Sequence, residues 1–346
     1  MAEKLGVGVV GLGLVGPVHA KCVRELEDAE LRVICDIAED KARAAAEEFE
    51  CDWTTDFNRM LERPDIQVVS LTTPPFTHLE LGLAAARAGK HVLVEKPIDI
   101  STERARRLIA ACREHGVKLG VIFQSRWKKS YALLKQAVDE GMLGRLLLGD
   151  AVVKWFRSQS YYDSCDWRGT WAKEGGGALI NQSIHTIDAL QWIFGPVESL
   201  FGYFTTTPVH DIEVEDLATA TLRFANGALG VIEGATAIQP GLPERLAVHG
   251  EKGTVVIEGG KLVTWTVEDM DEALAKAAAE EPTGTGAADP MAFPITWHKA
   301  QIQDMLDAVR EDREPAVNGE EGIRALEIVE AIYESGRTER PVNFAR

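Results

Sequence analysis

The sequence predicts an α/β chain in two parts: a doubly wound parallel sheet over residues 1–123, then an α+β domain over 124–346 built on a large, mainly antiparallel, open-faced sheet. Three observations carry that expectation. Short β-branched runs alternate with helix-length stretches as far as Phe123, the rhythm of a sheet wound with helices on both faces. From Val197 to Thr264 strand-like runs follow one another with no helix between them. The length, 346 residues, also exceeds the roughly 100–200 residues of one ordinary core.

In the first part, the runs 7–10, 31–36, 66–72, 91–95 and 118–123 read as buried parallel strands by length and content. Helices are predicted over 39–49, 77–88 and 102–115, with Gly89 and Gly116 as C-terminal stops. In the second part a helix over 129–140 precedes a strand over 146–155, an irregular stretch to about Glu174 and a helix over 184–194. Strands are then predicted over 197–205, 218–224, 229–235, 245–249, 254–257 and 261–264, with Asn226-Gly227 as a two-residue hairpin turn. Residues 275–292, rich in Ala, Glu, Gly, Thr and Pro, read as a helix end and an exposed loop. Helices over 298–310 and 319–335 close the chain.

A net charge of −17 argues against binding duplex nucleic acid, which requires a clustered basic face. Five scattered cysteines, Cys22, Cys35, Cys51, Cys112 and Cys165, form no C-x-x-C pair, so neither a disulfide framework nor a zinc knuckle is signalled. Residues 1–4 lead straight into an apolar strand, and no run approaches the ~18 apolar residues of a membrane span. The expected setting is a reducing cytoplasm, with no membrane.

The segment Gly11-Leu12-Gly13-Leu14-Val15-Gly16 follows the first strand and opens a helix. Its glycines bring backbone amides at a helix N-terminus close to a pyrophosphate. Asp36 ends the next strand, twenty residues beyond Gly16, at the spacing of a ribose-binding carboxylate in a dinucleotide fold. Its charge opposes a 2′-phosphate, and Ile37 beside it offers no guanidinium, so NAD is expected in preference to NADP.

Ligands of open α/β sheets lie beyond the carboxyl ends of the strands. Leu71-Thr72-Thr73-Pro74-Pro75 with His78, and Glu95-Lys96-Pro97, both fall there. In the second part Gly175-Gly176-Gly177 precedes Asn181, His185 and Asp188, whose spacing of four and three gives one helical face. Lacking a second cluster of ligating residues, that face is read without a metal.

Glu95-Lys96-Pro97, the glycine triplet and His185-Thr186-Ile187-Asp188 together resemble the Gfo/Idh/MocA family. So do Gly11-Leu12-Gly13 with His19, Thr73-Pro74 to His78, Ala88 to Val92, Trp167-Arg168 and Asp304 to Arg310. The resemblance runs from Val7 to the end. It implies NAD(P)-linked oxidation or reduction of a ring hydroxyl on a sugar, glycoside, nucleotide sugar or cyclitol, with Lys96 and His185 catalytic. A neutral histidine takes the hydroxyl proton and a lysine holds the developing alkoxide by charge, or the two exchange roles. The expected cofactor contacts are Gly11, Gly13, Leu14, Val15, Asp36, Ile37, Thr72, Thr73, Pro74, His78, Glu95, Lys96, Gln124, Trp167 and Arg168. Substrate contacts are expected at Lys96, Arg126, Trp167, Asn181 and His185.

Many sugar and inositol dehydrogenases of the family carry aspartate four residues before the histidine, where this chain has Asn181. An amide positions a hydroxyl but is no base, which leaves room for relatives that work on glycosides or nucleotide sugars. Arg126, Lys128, Lys129, Lys154, Arg157, Arg168 and Lys173 would suit an anionic substrate, and Trp167, Trp171, Tyr161 and Tyr162 a stacked sugar ring. The alternatives are a glycosidase acting by transient oxidation and elimination, and a cofactor-sensing regulator without catalysis. An open sheet face predicts a homodimer or homotetramer.

Overall fold

The computed structural model describes residues 4–267, 278 and 294–344. Apart from Ala278, the segment 275–292 lies outside the described residues. The chain divides into two compact units, one of residues 1–124 with 295–323 and the other of residues 125–294 with 324–346. This differs from a single cut at residue 123. The helix Thr296–Arg310 belongs to the first unit because its Ile302, Met305 and Leu306 share a core with Val7, Val9, Ala20, Val23 and Leu93.

The first unit is a six-stranded parallel sheet of order β3-β2-β1-β4-β5-β6. The strands are β1 Leu5–Val10, β2 Ala29–Cys35, β3 Asp52–Thr54, β4 Val68–Leu71, β5 His91–Val94 and β6 Leu119–Val121. Strands β1, β4, β5 and β6 are buried almost throughout, as expected when helices cover both faces. Helices α1 Gly16–Arg24, α2 Glu39–Phe49, α4 His78–Arg87 and α5 Thr102–Glu114 alternate with them, and a short α3, Phe57–Leu61, follows β3. Gly89 and Gly116 end α4 and α5 with φ of 70° and 66°, the left-handed conformation that glycine adopts without steric cost. The strand order reverses at β1, between β2 and β4, and ligands of such sheets bind at that reversal, outside the carboxyl ends.

The second unit holds an eight-stranded sheet of order β13-β12-β11-β7-β10-β9-β8-β14, antiparallel except for the β7/β10 pair. Its strands are β7 Leu146–Lys154, β8 Val197–Thr205, β9 Leu217–Phe224, β10 Leu229–Ala235, β11 Arg245–Gly250, β12 Gly253–Glu258, β13 Lys261–Trp265 and β14 Val342–Asn343. Helix α6 spans Lys129–Asp139, α7 Gln159–Asp163 and α8 Ile184–Phe194, and α8 packs against β7 and β11. A Cβ on Gly149 of β7 would stand 2.5 Å from the Phe194 ring of α8, so glycine there lets helix and sheet close up. In β9 buried and exposed residues alternate, the pattern of a sheet with one covered and one open face. Leu147, Leu148, Tyr203, Leu229 and Val263 are among its exposed side chains.

The β9/β10 turn is longer than the two residues expected. Phe224 N donates to Ala228 O at 2.9 Å and Gly227 N to Phe224 O at 2.9 Å, leaving Ala225, Asn226 and Gly227 in the loop. Gly227 has φ of 88°, so this is a three-residue turn closed by a left-handed glycine. Among the described residues no helix is long and apolar enough to cross a membrane.

Candidate functional site

In the first unit the residues after β1, β2, β4, β5 and β6 collect at the carboxyl edge of the sheet. Gly11 leaves β1 with φ of 92°, and its N–H donates to Cys35 O at 2.8 Å. The Thr72 hydroxyl donates to Gly11 O at 2.6 Å and lies 2.9 Å from Val10 O, which binds the end of β4 to the glycine loop. A Cβ on Gly16 would stand 2.1 Å from Gly11 O, whereas one on Gly13 meets no protein atom within 4 Å. Gly16 is thus required by the turn itself, and Gly13 leaves an open approach to the backbone at the start of α1. Leu14 is half exposed beside it.

Asp36 is fixed by two amides: Leu12 N donates to Oδ2 at 2.6 Å and Ala38 N to Oδ1 at 2.8 Å. Each oxygen keeps a further lone pair for a ligand hydroxyl. Ile37 is 96% exposed. His78 is fully buried. Its Nδ1 lies 3.1 Å from Pro97 O and its Nε2 2.9 Å from Thr73 O, which ties the Thr73-Pro74 loop to the loop after β5. Burial lowers its pKa and keeps the ring neutral.

Lys96 follows β5 and is partly exposed, and its backbone N–H donates to Glu95 Oε2 at 3.1 Å. Glu95 is itself buried, with Oε1 2.9 Å from His19 Nε2 and 4.0 Å from His298 Nε2. Ser70 Oγ stands 2.7 Å from His19 Nδ1. Burial alone would raise the Glu95 carboxyl, but the hydrogen bond from His19 and the charges of His19, His298 and Lys96 bring it down to about 2. His19, Glu95 and His298 place three ligand-type atoms within 4.8 Å of one another. The His19–Glu95 hydrogen bond and the Lys96 amide already engage that carboxylate, so the trio reads as the support of the β5 loop. At the end of β6, Gln124 Oε1 is buried and has no hydrogen-bond partner among the described residues.

In the second unit the glycine triplet has a steric cause. A Cβ on Gly176 would stand 2.1 Å from the Tyr333 hydroxyl oxygen, and one on Gly177 would stand 1.9 Å from Glu215 O. Glu215 is buried beneath it and accepts from Gly177 N and Leu179 N at 2.8 Å and from the Tyr333 hydroxyl at 2.9 Å. Burial pushes its carboxyl up to about 7, although these donors pull the other way.

Asn181, His185 and Asp188 do not lie on one continuous α-helix. Residues Ala178–Ser183 form a π-helical turn and α8 begins at Ile184. Asn181 Nδ2 donates to Glu174 Oε1. Asp188 is committed to Arg126, whose Nε and Nη2 donate to it at 2.9 and 2.7 Å, and that guanidinium lies over Trp192. His185, partly exposed, is left as the residue of the three that is neither an amide nor one half of this buried ion pair.

The expected gathering of cations for an anionic substrate is largely matched within the fold. Besides Arg126, Lys154 pairs with Glu233 at 2.5 Å, Lys173 with Asp166 at 2.6 Å, and Lys128 lies 3.9 Å from Glu244. The aromatic residues divide in the same way. The Tyr162 hydroxyl lies 2.7 Å from Thr236 Oγ1 and Trp171 packs against Phe204 and Tyr333, whereas Trp167 and Tyr161 flank the guanidinium of Arg168.

Sequence reasoning missed Glu174, Glu215, Ser70 and His298. The only local signal was the position of Glu174 directly before the glycine triplet; Ser70 and His298 in the first unit and Glu215 in the second are brought to their partners through folding alone.

Two family models cover the chain. Residues 5–123 match the oxidoreductase family's NAD-binding Rossmann fold, and residues 135–344 match its C-terminal alpha/beta domain. The chain belongs to the Gfo/Idh/MocA oxidoreductase family. Among solved structures it is similar to the WlbA dehydrogenase from Bordetella pertussis in complex with NADH and UDP-GlcNAcA. That likeness has a TM-score of 0.91 at 31% identity and covers 100% of this chain and 99% of the other. Among curated relatives it is 27% identical to myo-inositol 2-dehydrogenase of Thermotoga maritima, over 98% of each chain. It is 25% identical to levoglucosan dehydrogenase of Pseudarthrobacter phenanthrenivorans, over 97% of each. These Gfo/Idh/MocA relatives are dehydrogenases of CH–OH groups, as the sequence reading expected.

Proposed function

We propose that the chain is an NAD-dependent dehydrogenase that moves a hydride between nicotinamide and a secondary ring hydroxyl of a sugar, glycoside, nucleotide sugar or cyclitol. The observation that carries the cofactor is the open backbone at Gly13 beside an Asp36 carboxylate held by two amides. The buried, unpartnered acceptor Gln124 Oε1 fits the same ligand, whose carboxamide is a donor. Full-length similarity to WlbA and to the inositol and levoglucosan enzymes supports the substrate class.

Each expected contact then has a task. The amides around Gly11, Gly13, Leu14 and Val15 meet the pyrophosphate. Asp36 accepts from the ribose hydroxyls and repels a 2′-phosphate, with Ile37 beside the adenine. Thr72, Thr73, Pro74 and Glu95 shape the floor, His78 braces it from behind, and Trp167 and Arg168 complete the contacts. When bound, the nicotinamide supplies the hydride acceptor. His185 takes the hydroxyl proton as the C–H electron pair leaves, and Lys96 stabilises the alkoxide by charge and hydrogen bonding. Glu95, supported by His19 and His298, keeps the backbone of Lys96 in place. Asn181 holds a neighbouring substrate hydroxyl, and Arg126 serves the site by fixing Asp188 of α8.

The open sheet face, with Leu147, Leu148, Tyr203, Leu229 and Val263, is covered in a homodimer or homotetramer. Light scattering that returns a monomer at micromolar concentration contradicts this. With five free thiols, the protein suits a reducing cytoplasm.

The test is a panel of polyols, aldoses, glycosides and UDP-sugars with NAD, followed at 340 nm. NADH formation with a member of the panel supports the proposal. Aglycone release from a nitrophenyl glycoside without accumulation of NADH contradicts it in favour of redox-assisted elimination.

A further inference from the structure

We propose that Glu215 is a positioning residue: it caps three consecutive amides, those of Gly177, Ala178 and Leu179, and so fixes the π-helical turn that carries Asn181 and runs into α8 and His185. The part that concerns turnover rests on the reading above that Asn181 and His185 meet substrate; the cap itself does not.

The first amides of a helical segment have no partner within it. The side chain of the preceding residue commonly supplies one, but here that residue is Gly177. Glu215, fully buried two residues before β9, takes over the task for the whole row. Its Oε2 accepts from Gly177 N at 2.8 Å, its main-chain oxygen from Ala178 N at 3.0 Å and its Oε1 from Leu179 N at 2.8 Å. Ala178 and Leu179 are fully buried as well, so an amide that lost this acceptor would have no water to turn to.

One oxygen for each amide sets the turn in register with Glu215. Asn181 N donates to Gly177 O at 3.1 Å and takes its place from the capped end. On the other side, a Cβ on Gly234 of β10 would stand 2.7 Å from Ser183 Oγ and from Leu179 Cδ2. The turn is thus held between the start of β9 and β10, and a shift at the cap is carried on to Asn181.

The cap works in either protonation state of Glu215. Burial pushes its carboxyl up to about 7, so both forms occur near neutral pH. Ionised, Oε1 also accepts from the Tyr333 hydroxyl at 2.9 Å. Protonated, the acid gives its O–H to the Tyr333 oxygen, and each carboxyl oxygen keeps a lone pair for an amide. A hydroxyl, donor and acceptor at once, suits that place.

Substitution separates capping from packing. Glu215→Gln fills the same volume, but in either orientation its NH2 faces Gly177 N–H or Leu179 N–H, donor against donor. Glu215→Asp keeps two acceptor oxygens on a shorter side chain. Tyr333→Phe removes a hydroxyl and leaves both amides their acceptors, so it lowers stability without touching the cap.

Hydrogen exchange of the full chain, read by mass spectrometry near neutral pH, needs no substrate. In Glu215→Gln, peptides spanning residues 177–183 should exchange at least about tenfold faster than in the parent, with the strands of the first unit unchanged. Glu215→Asp should show the same local change in smaller degree, and it is read by the same criterion should the amide variant not fold. In Tyr333→Phe these peptides should stay within about threefold of the parent. Parental exchange over 177–183 in the Glu215 variants, or an equal increase in Tyr333→Phe, overturns the cap.

Kinetics with the panel member that yields most NADH supply the second readout. Glu215→Gln should raise KM about tenfold with a smaller fall in kcat, because Asn181 lies nearer the cap than His185, and Glu215→Asp should recover part of it. NADH affinity should stay within about twofold of the parent. Loss of KM, kcat and NADH affinity together, or parental kinetics beside faster exchange, overturns the positioning role. Absence of NADH from the parent with every panel member counts against the proposed function, and the exchange measurement still decides the cap.

Discussion

The Asp36 carboxylate accepts a 2.6 Å hydrogen bond from the Leu12 amide, which joins the end of β2 to the glycine loop after β1. One side chain thereby shapes the loop and keeps further lone pairs, the ones that the proposed ribose contact would use. Asp36→Asn removes the charge and replaces one acceptor by a donor. NAD affinity should fall about tenfold and the preference over NADP should narrow, because the repulsion of a 2′-phosphate is gone. Fluorescence titration with NADH and NADPH measures both, and an unchanged ratio of the two affinities removes Asp36 from cofactor selection.

Gly13 and Gly16 separate binding from folding. A Cβ on Gly13 touches nothing, so Gly13→Ala should keep its melting temperature while NADH affinity falls at least tenfold as the methyl fills the approach to the backbone. Gly16→Ala drives a methyl to 2.1 Å from Gly11 O and should destabilise the unit by about 2 kcal/mol or more. Melting curves with and without NADH distinguish the two. Equal loss of stability in both variants refutes the assignment.

The buried Glu95 sets a pH dependence. Its folded-state pKa, about 2, lies below the ordinary carboxylate value of 4.5, so the charged form is favoured in the folded protein. Its contribution to stability is present above pH 4.5 and is lost as pH falls towards 2. Glu215 has the opposite sign: raised to about 7, it weakens the fold as pH rises from 4.5 through 7. Urea midpoints should therefore show Glu95→Gln losing more against the parent at pH 6 than at pH 3. A deficit that is the same at both pH values contradicts the charged, hydrogen-bonded state of Glu95.

Much of this was legible in the sequence, for physical reasons that can be named. The strand Leu229–Ala235 and the helix Ile184–Phe194 fall where sequence reasoning put them, because each carries its apolar pattern within its own length. The edge strand Asp52–Thr54 was invisible: three exposed or half-exposed residues bear no hydrophobic period. Sequence spacing suggested one helical face for Asn181, His185 and Asp188, but the π-helical turn at Ala178–Ser183 alters the step between the first and the others. The partners of the site were the least legible. Arg126 reaches Asp188 across a separation of 62 residues that no local pattern encodes, and Glu174, the partner of Asn181, had only its place before the glycine triplet as a signal.

The central claim, that Lys96 and His185 carry hydride-coupled proton transfer in an NAD-dependent dehydrogenase, is tested most directly by Lys96→Ala and His185→Ala. NADH formation at 340 nm is measured beside NADH binding and melting temperature. Each variant should lose ~100-fold or more in turnover while binding and melting stay near those of the parent. Turnover at parental rates in both would contradict the account.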